Sequence, residues 1–439
     1  MKYSIPLFGF MLAVAGFNAP INAQANVTSF VPFDDFLQSA KLAIAGDYLS
    51  RSGNRVRDEQ AFEEMRQHIL TMYEGVTVTH SFVLDDSHFD CIPIEQQPTV
   101  RILGLKGIAT PPPDSMLPKA QADSNAAEGI AKPASQLDPD EPFDRFGNSV
   151  ACEENTIPMR RITLDDMTRF QTLQQFFEKG PNGAGQAVET NGLEPPAAES
   201  HKYSFTYQNV KNWGGNSNLN LWSPHVNTSK GEVFSLSQEW YIGGNQTAEV
   251  GWQNYPDFYG GQNSRLFIYW TADGYHKTGC YNLTCAAFVQ VANHGDLGAG
   301  FTHYSKQGGT QWEFAAEYYL YKGNWWLAIQ GKWIGYYPGS IYRHGQLSKH
   351  AQTIEFGTEG VAKDPWPPEG SGQWPYRGFG YAAFQRNLFY INSSSNGIWD
   401  SLTRVRPSPK CYSIRGPYSS GGSGWEVYFY EGGPGGSGC

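Results

Sequence analysis

Over much of the chain the apolar positions recur every second residue. Leu266, Ile268 and Trp270 alternate with Phe267, Tyr269 and Thr271, and both sets are apolar or β-branched, as in a strand covered on both faces. From His201 onward the same reading returns in SFTYQNV, VFSLSQEWYI, SRLFIYWT, AAFVQV, WEFAAEYYLY, WWLAIQGKWIGYY and WEVYFYEG. Clusters of Gly, Asn, Asp and Pro separate these runs. Lys322-Gly323-Asn324 is a hairpin signal, and Ala272-Asp273-Gly274 supplies turn chemistry. No amphipathic helix of ten or more residues and no βαβ rhythm is evident here, so the expectation is an antiparallel β-sandwich.

Upstream the period changes. Residues 34–45 have helical spacing with Asp34 and Asp35 near the start, and 58–73 place Phe62, Met65, Ile69 and Met72 on one helical face. Residues 76–84 alternate as a strand, and 164–177 read as a further helix. Between them, 110–141 is Pro, Ala, Asp and Ser without enough hydrophobicity to fold. Residues 181–200, rich in Gly, Ala and Pro, read as a flexible linker. The expected fold class is therefore mainly β. A β-sandwich over 201–439 follows a small α/β domain over 26–180, which carries a disordered insertion at about 110–141.

Residues 1–25 read as a signal peptide, with Lys2 at the start, an apolar stretch over 5–17 and Ala23-Gln24-Ala25 as the cleavage pattern. That stretch is too short to span a bilayer, and no later one reaches roughly 18 continuous apolar residues. The chain is expected to be secreted, extracellular or periplasmic, monomeric, and without a membrane partner.

Charge divides the chain further. Residues 1–200 hold 15 Lys+Arg against 27 Asp+Glu, a net of -12, and the remainder holds 17 against 15, a net of +2. All 13 Trp lie after position 200. Neither half has a basic stripe, which excludes a nucleic-acid partner. Six cysteines suit an oxidising compartment and allow 15 pairings. Proximity in sequence favours Cys280–Cys285 and Cys411–Cys439, leaving Cys91–Cys152. No CxxC or Cys/His cluster suggests a metal, and no Gly-rich phosphate or dinucleotide motif suggests a cofactor.

G-x-S-x-G and H-E-x-x-H are absent, which leaves paired carboxylates as the candidate chemistry. The second half has ten glutamates: 232, 239, 249, 313, 317, 355, 359, 369, 426 and 431. Two carboxyls in one desolvated cleft share a proton, so one activates water while the other donates to a carbonyl or leaving group. That equipment serves peptide and glycoside hydrolysis alike. A carbohydrate-binding β-sandwich that stacks sugars on aromatics is the non-enzymatic alternative, and a two-carboxylate glycosidase is the enzymatic one.

Residues 203–439 resemble the neprosin family of glutamic endopeptidases. The likeness rests on SLSQEW at 235–240, EVGWQ at 249–253, FIYWTADGY at 267–275, TGCYNLTC at 278–285, FVQV at 288–291, GNWWL at 323–327, IGYYPGSIY at 334–342 and EFGTEG at 355–360. FDCIPIEQQPTVR and ENTIPMRRITL in the acidic half resemble the pro-region of such proteins. The resemblance implies a β-sandwich peptidase that has two catalytic glutamates, is made as a precursor and cleaves after proline. Glu249 matches the first family glutamate. Glu359, which ends Phe356-Gly357-Thr358-Glu359, matches the second, with Phe for Trp and Thr for Gly as departures and Glu355 four residues upstream. Trp252, Tyr259 and Tyr275 are candidate substrate-stacking residues by proximity to Glu249. The expected partners are proline-containing peptides or proteins, and the chain's own acidic half as an acid-released inhibitor. Self-processing is expected at Pro196-Ala197 within the linker.

Overall fold

Alternation dictates the architecture, because each strand has to bury one face against a second layer. The structure, a computed structural model, describes residues 29–116, 143–179, 201–420 and 424–439. The expected signal peptide, most of the 110–141 insertion, and the 181–200 linker with Pro196 and Ala197 lie outside these residues.

The N-terminal unit comprises helices α1 (Phe33–Leu42), α2 (Ala45–Leu49) and α3 (Glu59–Met72), strands β1 (His80–Leu84) and β2 (Ser87–Pro93), helix α4 (Pro98–Ile102), strand β3 (Thr156–Arg160), and short helices α5 (Leu164–Met167) and α6 (Leu173–Phe177). Asp58 caps α3 by accepting from Ala61 N at 2.8 Å. The single helix expected over 164–177 is two. Thr172 turns extended, with φ -141° and ψ 160°, and its hydroxyl accepts from Gln175 N, so the side chain caps a new helix rather than continuing the first. The helix expected over 34–45 stops at Leu42 because Ala43 (φ -62°, ψ 137°) and Ile44 (φ -118°, ψ 143°) are both extended, here without a side-chain cap.

The second half is a β-sandwich. Its strands are β4 (His201–Asn212), β5 (Gly214–Asn220), β6 (Glu232–Gly243), β7 (Gln246–Asn254), β8 (Arg265–Thr271), β9 (Cys280–Tyr281), β10 (Val289–Gln290), β11 (Glu313–Tyr321), β12 (Asn324–Ile329), β13 (Lys332–Pro338), β14 (Ala351–Ala362), β15 (Ala383–Ile391), β16 (Gly397–Trp399), β17 (Thr403–Val405), β18 (Ser413–Ser419) and β19 (Val427–Gly432). One sheet runs β17-β4-β14-β6-β7-β8-β9. The other runs β10-β13-β12-β11-β5-β15-β19-β18, with β16 on β15. The pairings between these strands are antiparallel. Lys322 (φ 49°) and Gly323 (φ 79°) close the β11–β12 hairpin with two positive-φ residues, as a type I′ turn requires.

Strand parity then assigns every side chain a layer. Ala248, Val250 and Trp252 of β7 and Leu266, Ile268 and Trp270 of β8 face the second sheet; Trp252 Nε1 donates to Asn220 O of β5 at 3.0 Å. The inter-sheet layer also holds carboxyls. Ser237 Oγ donates to Glu431 at 2.6 Å, and Thr358 Oγ1 donates to Glu369. The opposite face of the seven-stranded sheet carries Glu249, Phe267 and Tyr269, and here the N-terminal unit docks. Phe176 stacks on Phe258 with ring centroids 5.0 Å apart, and Thr99 Oγ1 donates to Phe288 O at 2.7 Å. Gln97 and Gln290 exchange two hydrogen bonds of 2.9 Å, and Arg55 pairs with Asp257. Strand β8 is thus covered on both faces, by the second sheet and by the N-terminal unit. The cysteines pair as Cys91–Cys152, Cys280–Cys285 and Cys411–Cys439, and none of these bonds joins the N-terminal unit to the sandwich.

Trp252→Ala should cost about 3–5 kcal/mol, because it empties a fully buried indole site between the sheets. Trp399→Ala, at a position 49% exposed, should cost well under half of that. Equilibrium urea unfolding of the two variants measures both.

Candidate active site

Glu359 lies on β14 and Glu249 on β7, with β6 between them. In register, Glu359 is level with Leu236 and Gln253, whereas Glu249 is level with Trp240 and Glu355. The two glutamates therefore sit diagonally across one face. The row between them is Gly357, Gln238 and Gly251, so a single glutamine floors the window with no side chain on either flank. These glycines have little freedom to be anything else. A Cβ on Gly251 would stand 2.1 Å from Ser237 O, and one on Gly357 2.3 Å from Ser204 O.

Into this window comes Lys179, two residues beyond α6. Its Nζ pairs with Glu249 Oε2 and lies 2.9 Å from Glu359 Oε2. It donates to Gln238 Oε1 at 3.1 Å and stands 5.4 Å from the centroid of the Trp240 ring. Tyr269 OH donates to Phe177 O at 3.0 Å and fixes the chain that delivers the lysine. The other carboxylate oxygens have partners from the sandwich. Glu249 Oε1 accepts from Tyr275 OH at 2.6 Å and Thr247 Oγ1 at 2.8 Å, and Glu359 Oε1 meets His201 Nδ1 at 2.7 Å. All three groups of the bridge are almost wholly buried, with side-chain exposures of 2%, 0% and 1% for Lys179, Glu249 and Glu359.

The electrostatics follow from that enclosure. Burial works against ionisation of Glu359, but the Lys179 ammonium, followed by His201, overcomes it and holds the carboxyl at about 2. Burial likewise opposes the charge on Lys179, and Glu249 and Glu359 outweigh it, keeping the ammonium protonated above its ordinary range. Glu355 is on the same face but has no cation. Burial, then the neighbouring Glu249, pushes it up to about 8. One ammonium between two carboxylates is thus the resting state.

The structure brings Glu249, Glu359 and Tyr275 together. It puts Trp252 in the inter-sheet layer, three residues from Glu249 and so of opposite strand parity. It puts Tyr259 away from the window, with Asn282 Nδ2 donating to its hydroxyl at 3.3 Å and Arg160 and Arg265 near its ring. Sequence reasoning missed Lys179, His201, Gln238 and Thr247. Parity along Glu249–Gln253 was a usable signal for the face of Thr247, but nothing local marks Lys179. Across the described interface with the sandwich, the N-terminal unit supplies cations, Arg55 and Lys179, to carboxylates, although its net charge is acidic.

Two buried glutamates thus share one face of an antiparallel β-sandwich, an arrangement that can hold a general base and a general acid together. Residues 231–434 match the family model described as Neprosin, and this part of the chain is a neprosin-family domain. Two solved structures of scytalido-glutamic peptidase also align with the chain. The one with a transition state analog inhibitor has a TM-score of 0.32 at 6% identity, covering 52% of this chain and 97% of its own. The one with a peptide-based transition state analog has a TM-score of 0.30 at 8% identity, covering 53% and 97%.

Lys179→Gln should raise the Glu359 carboxyl well above about 2, since burial then acts against only His201. Carboxyl 13C titration of the full chain, labelled at Glu, measures the shift; an unmoved Glu359 would mean that the ammonium is not what holds its charge.

Proposed function

We propose that the protein is a secreted glutamic endopeptidase that hydrolyses peptide bonds on the C-terminal side of proline, with Glu249 and Glu359 as its catalytic pair. It is made as a precursor in which the N-terminal unit is the inhibitor. The observation that carries this reading is the single ammonium of Lys179 bridging the two glutamates that the family motifs select. A substrate carbonyl and its attacking water need the space that this ammonium fills. With Lys179 withdrawn, two carboxyls remain in one buried window and share a proton, giving an acid and a base together. The pair titrates as a unit. Three disulfides and the leader-like residues 1–25 support an exported protein.

Acid is the trigger this geometry supports. Docking depresses the Glu359 carboxyl to about 2, so the docking energy it supplies is complete above the ordinary carboxylate range. That energy is lost as pH falls from about 4.5 towards 2, when protonation cancels the ion pair with Lys179. The linker holds Pro195 and Pro196 before Ala197. A proline-directed enzyme freed in this way has its preferred bond in its own tether, and the mature sandwich domain would begin at Ala197.

Purified full-length chain, brought to pH 3–4, should cut proline-containing peptides after proline and leave polysaccharides intact. Glu249→Gln and Glu359→Gln should each lower peptide cleavage by about 10²-fold or more. Glu355→Gln should leave cleavage within about twofold below pH 7, because Gln imitates a carboxyl already neutral there. Sequencing the new N-terminus after acidification should give Ala197. Processing at equal speed in pure Glu249→Gln protein would rule out self-cleavage, and cleavage of polysaccharide rather than peptide would sink the peptidase reading.

A further inference from the structure

The two glutamates are not equivalent once Lys179 has gone. We infer that His201 is a positioning residue which keeps Glu359 ionised, so that Glu359 is the base that activates water and Glu249 the acid that protonates the scissile carbonyl. This rests on the proposed peptidase reading and deepens it by giving each carboxyl one role.

The lysine contacts Oε2 of both glutamates, and those are the oxygens freed when it leaves. The Oε1 atoms keep partners that belong to the sandwich. Glu359 Oε1 keeps His201 Nδ1 at 2.7 Å, whereas Glu249 Oε1 keeps only hydroxyls, Tyr275 OH at 2.6 Å and Thr247 Oγ1 at 2.8 Å. An imidazole can carry positive charge and hydroxyls cannot, so a carboxylate is favoured at Glu359. A neutral Glu249 accepts on Oε1 from its two hydroxyls and has Oε2–H free to donate into the window.

His201 is built for this role. Its side chain is 3% exposed, and it pairs in register with Val361 at the end of β14 beyond Glu359. Its ring lies at a stacking angle to Tyr203, with centroids 6.2 Å apart, and meets Phe234 edge-on. Nε2 is buried and has no hydrogen-bond partner among the described residues, so the ring is held from the Nδ1 side, by Glu359 and by Tyr203 OH at 3.3 Å. The charged or titratable groups around the pair are Lys179 from the N-terminal unit, Tyr203 on β4, Glu249 on β7, Tyr275, Tyr281 on β9, Glu355 on β14 and Glu369 behind the sheet. After Lys179 leaves, His201 is the cation-capable member of that set.

The proton inventory closes. Water oxygen bonds to the scissile carbon as Glu359 Oε2 takes a water proton, and Glu249 Oε2–H passes its proton to the carbonyl oxygen. The C–N bond then breaks, the departing nitrogen takes the proton from Glu359, and Glu249 recovers one from the new hydroxyl group. A carboxylic acid and an amine leave, and both glutamates return to their starting forms.

The test is the pH profile of kcat/KM for a proline-containing peptide, using acid-processed full-length protein. In His201→Gln the acid limb should move up by about one pH unit, because Glu359 then takes its proton at higher pH. In His201→Arg, which restores a cation, the limb should return to within a few tenths of a unit of the parent. An unmoved limb with lower kcat at every pH would make His201 a packing residue and overturn the inference, as would the same shift in both variants. Should the variants fail to fold, carboxyl 13C titration of the full chain carrying Lys179→Met decides it, with Glu249→Gln and Glu359→Gln used for assignment. Glu249 should take its proton at the higher pH, and the reverse order overturns the inference. A parent protein that cuts no peptide would remove the peptidase reading, while the titration, repeated with His201→Gln, still judges whether His201 holds the charge on Glu359.

Discussion

Two carboxylates cannot stay ionised side by side in a dry cleft unless a proton or a cation lies between them. The seven-stranded sheet places Glu249 and Glu359 in that situation, so everything around them is arranged to satisfy the constraint. In the docked state the cation is Lys179, and it is held by chain contacts from Tyr269 as well as by the glutamates themselves. The same lysine ties the N-terminal unit to the sandwich at the two buried glutamates. A buried ion pair of this kind adds little net stability, because desolvation consumes most of its Coulomb energy. The apolar contacts of Phe176 with Phe258, and the paired amides of Gln97 and Gln290, are better placed to supply the docking energy. The triad fills the window between the two glutamates.

Alternation made the sandwich legible: strands such as Leu266–Thr271 announce a period of two, and the Lys322-Gly323 hairpin announces its own turn. Helices were legible in position but not in length, because caps such as Thr172 end them by side-chain chemistry that periodicity does not register. Glu249 and Glu359 came from motif likeness. Periodicity alone could not choose two glutamates out of ten, since their meeting depends on β14 lying next to β6 and β6 next to β7. Lys179 was invisible for the same reason at longer range: it and Glu249 are 70 residues apart, and no nearby residue in the sequence marks it. Trp252 shows the opposite case. It is close to Glu249 in sequence, yet a separation of three along a strand puts it in the other layer, so adjacency misled where parity would not have.

The inter-sheet layer repeats the theme without a cation. Burial pushes Glu431 up to about 8, with hydrogen bonds from Ser237 and then Gln385 acting the other way. Burial also raises Glu369 and Glu239 well above the ordinary range. Groups raised in this way stabilise the fold fully below about 4.5, their unfolded value, and that contribution is lost as pH climbs through the raised value. The interior of the sandwich is therefore matched to acid, the same condition that undoes the ion pair holding Lys179.

Lys179 and His201 are the described residues on either side of segment 180–200, and both touch Glu359. No disulfide bridges the N-terminal unit to the sandwich, so this segment is the covalent connection between them. While it is intact, the lysine meets the glutamates at an effective concentration set by a short tether, of order millimolar. Once it is cut, the same contacts obey ordinary mass action, and the N-terminal unit becomes a dissociable ligand whose occupancy falls with dilution. Severing one bond of that segment would thus turn a concentration-independent contact between Lys179 and the two glutamates into a concentration-dependent one.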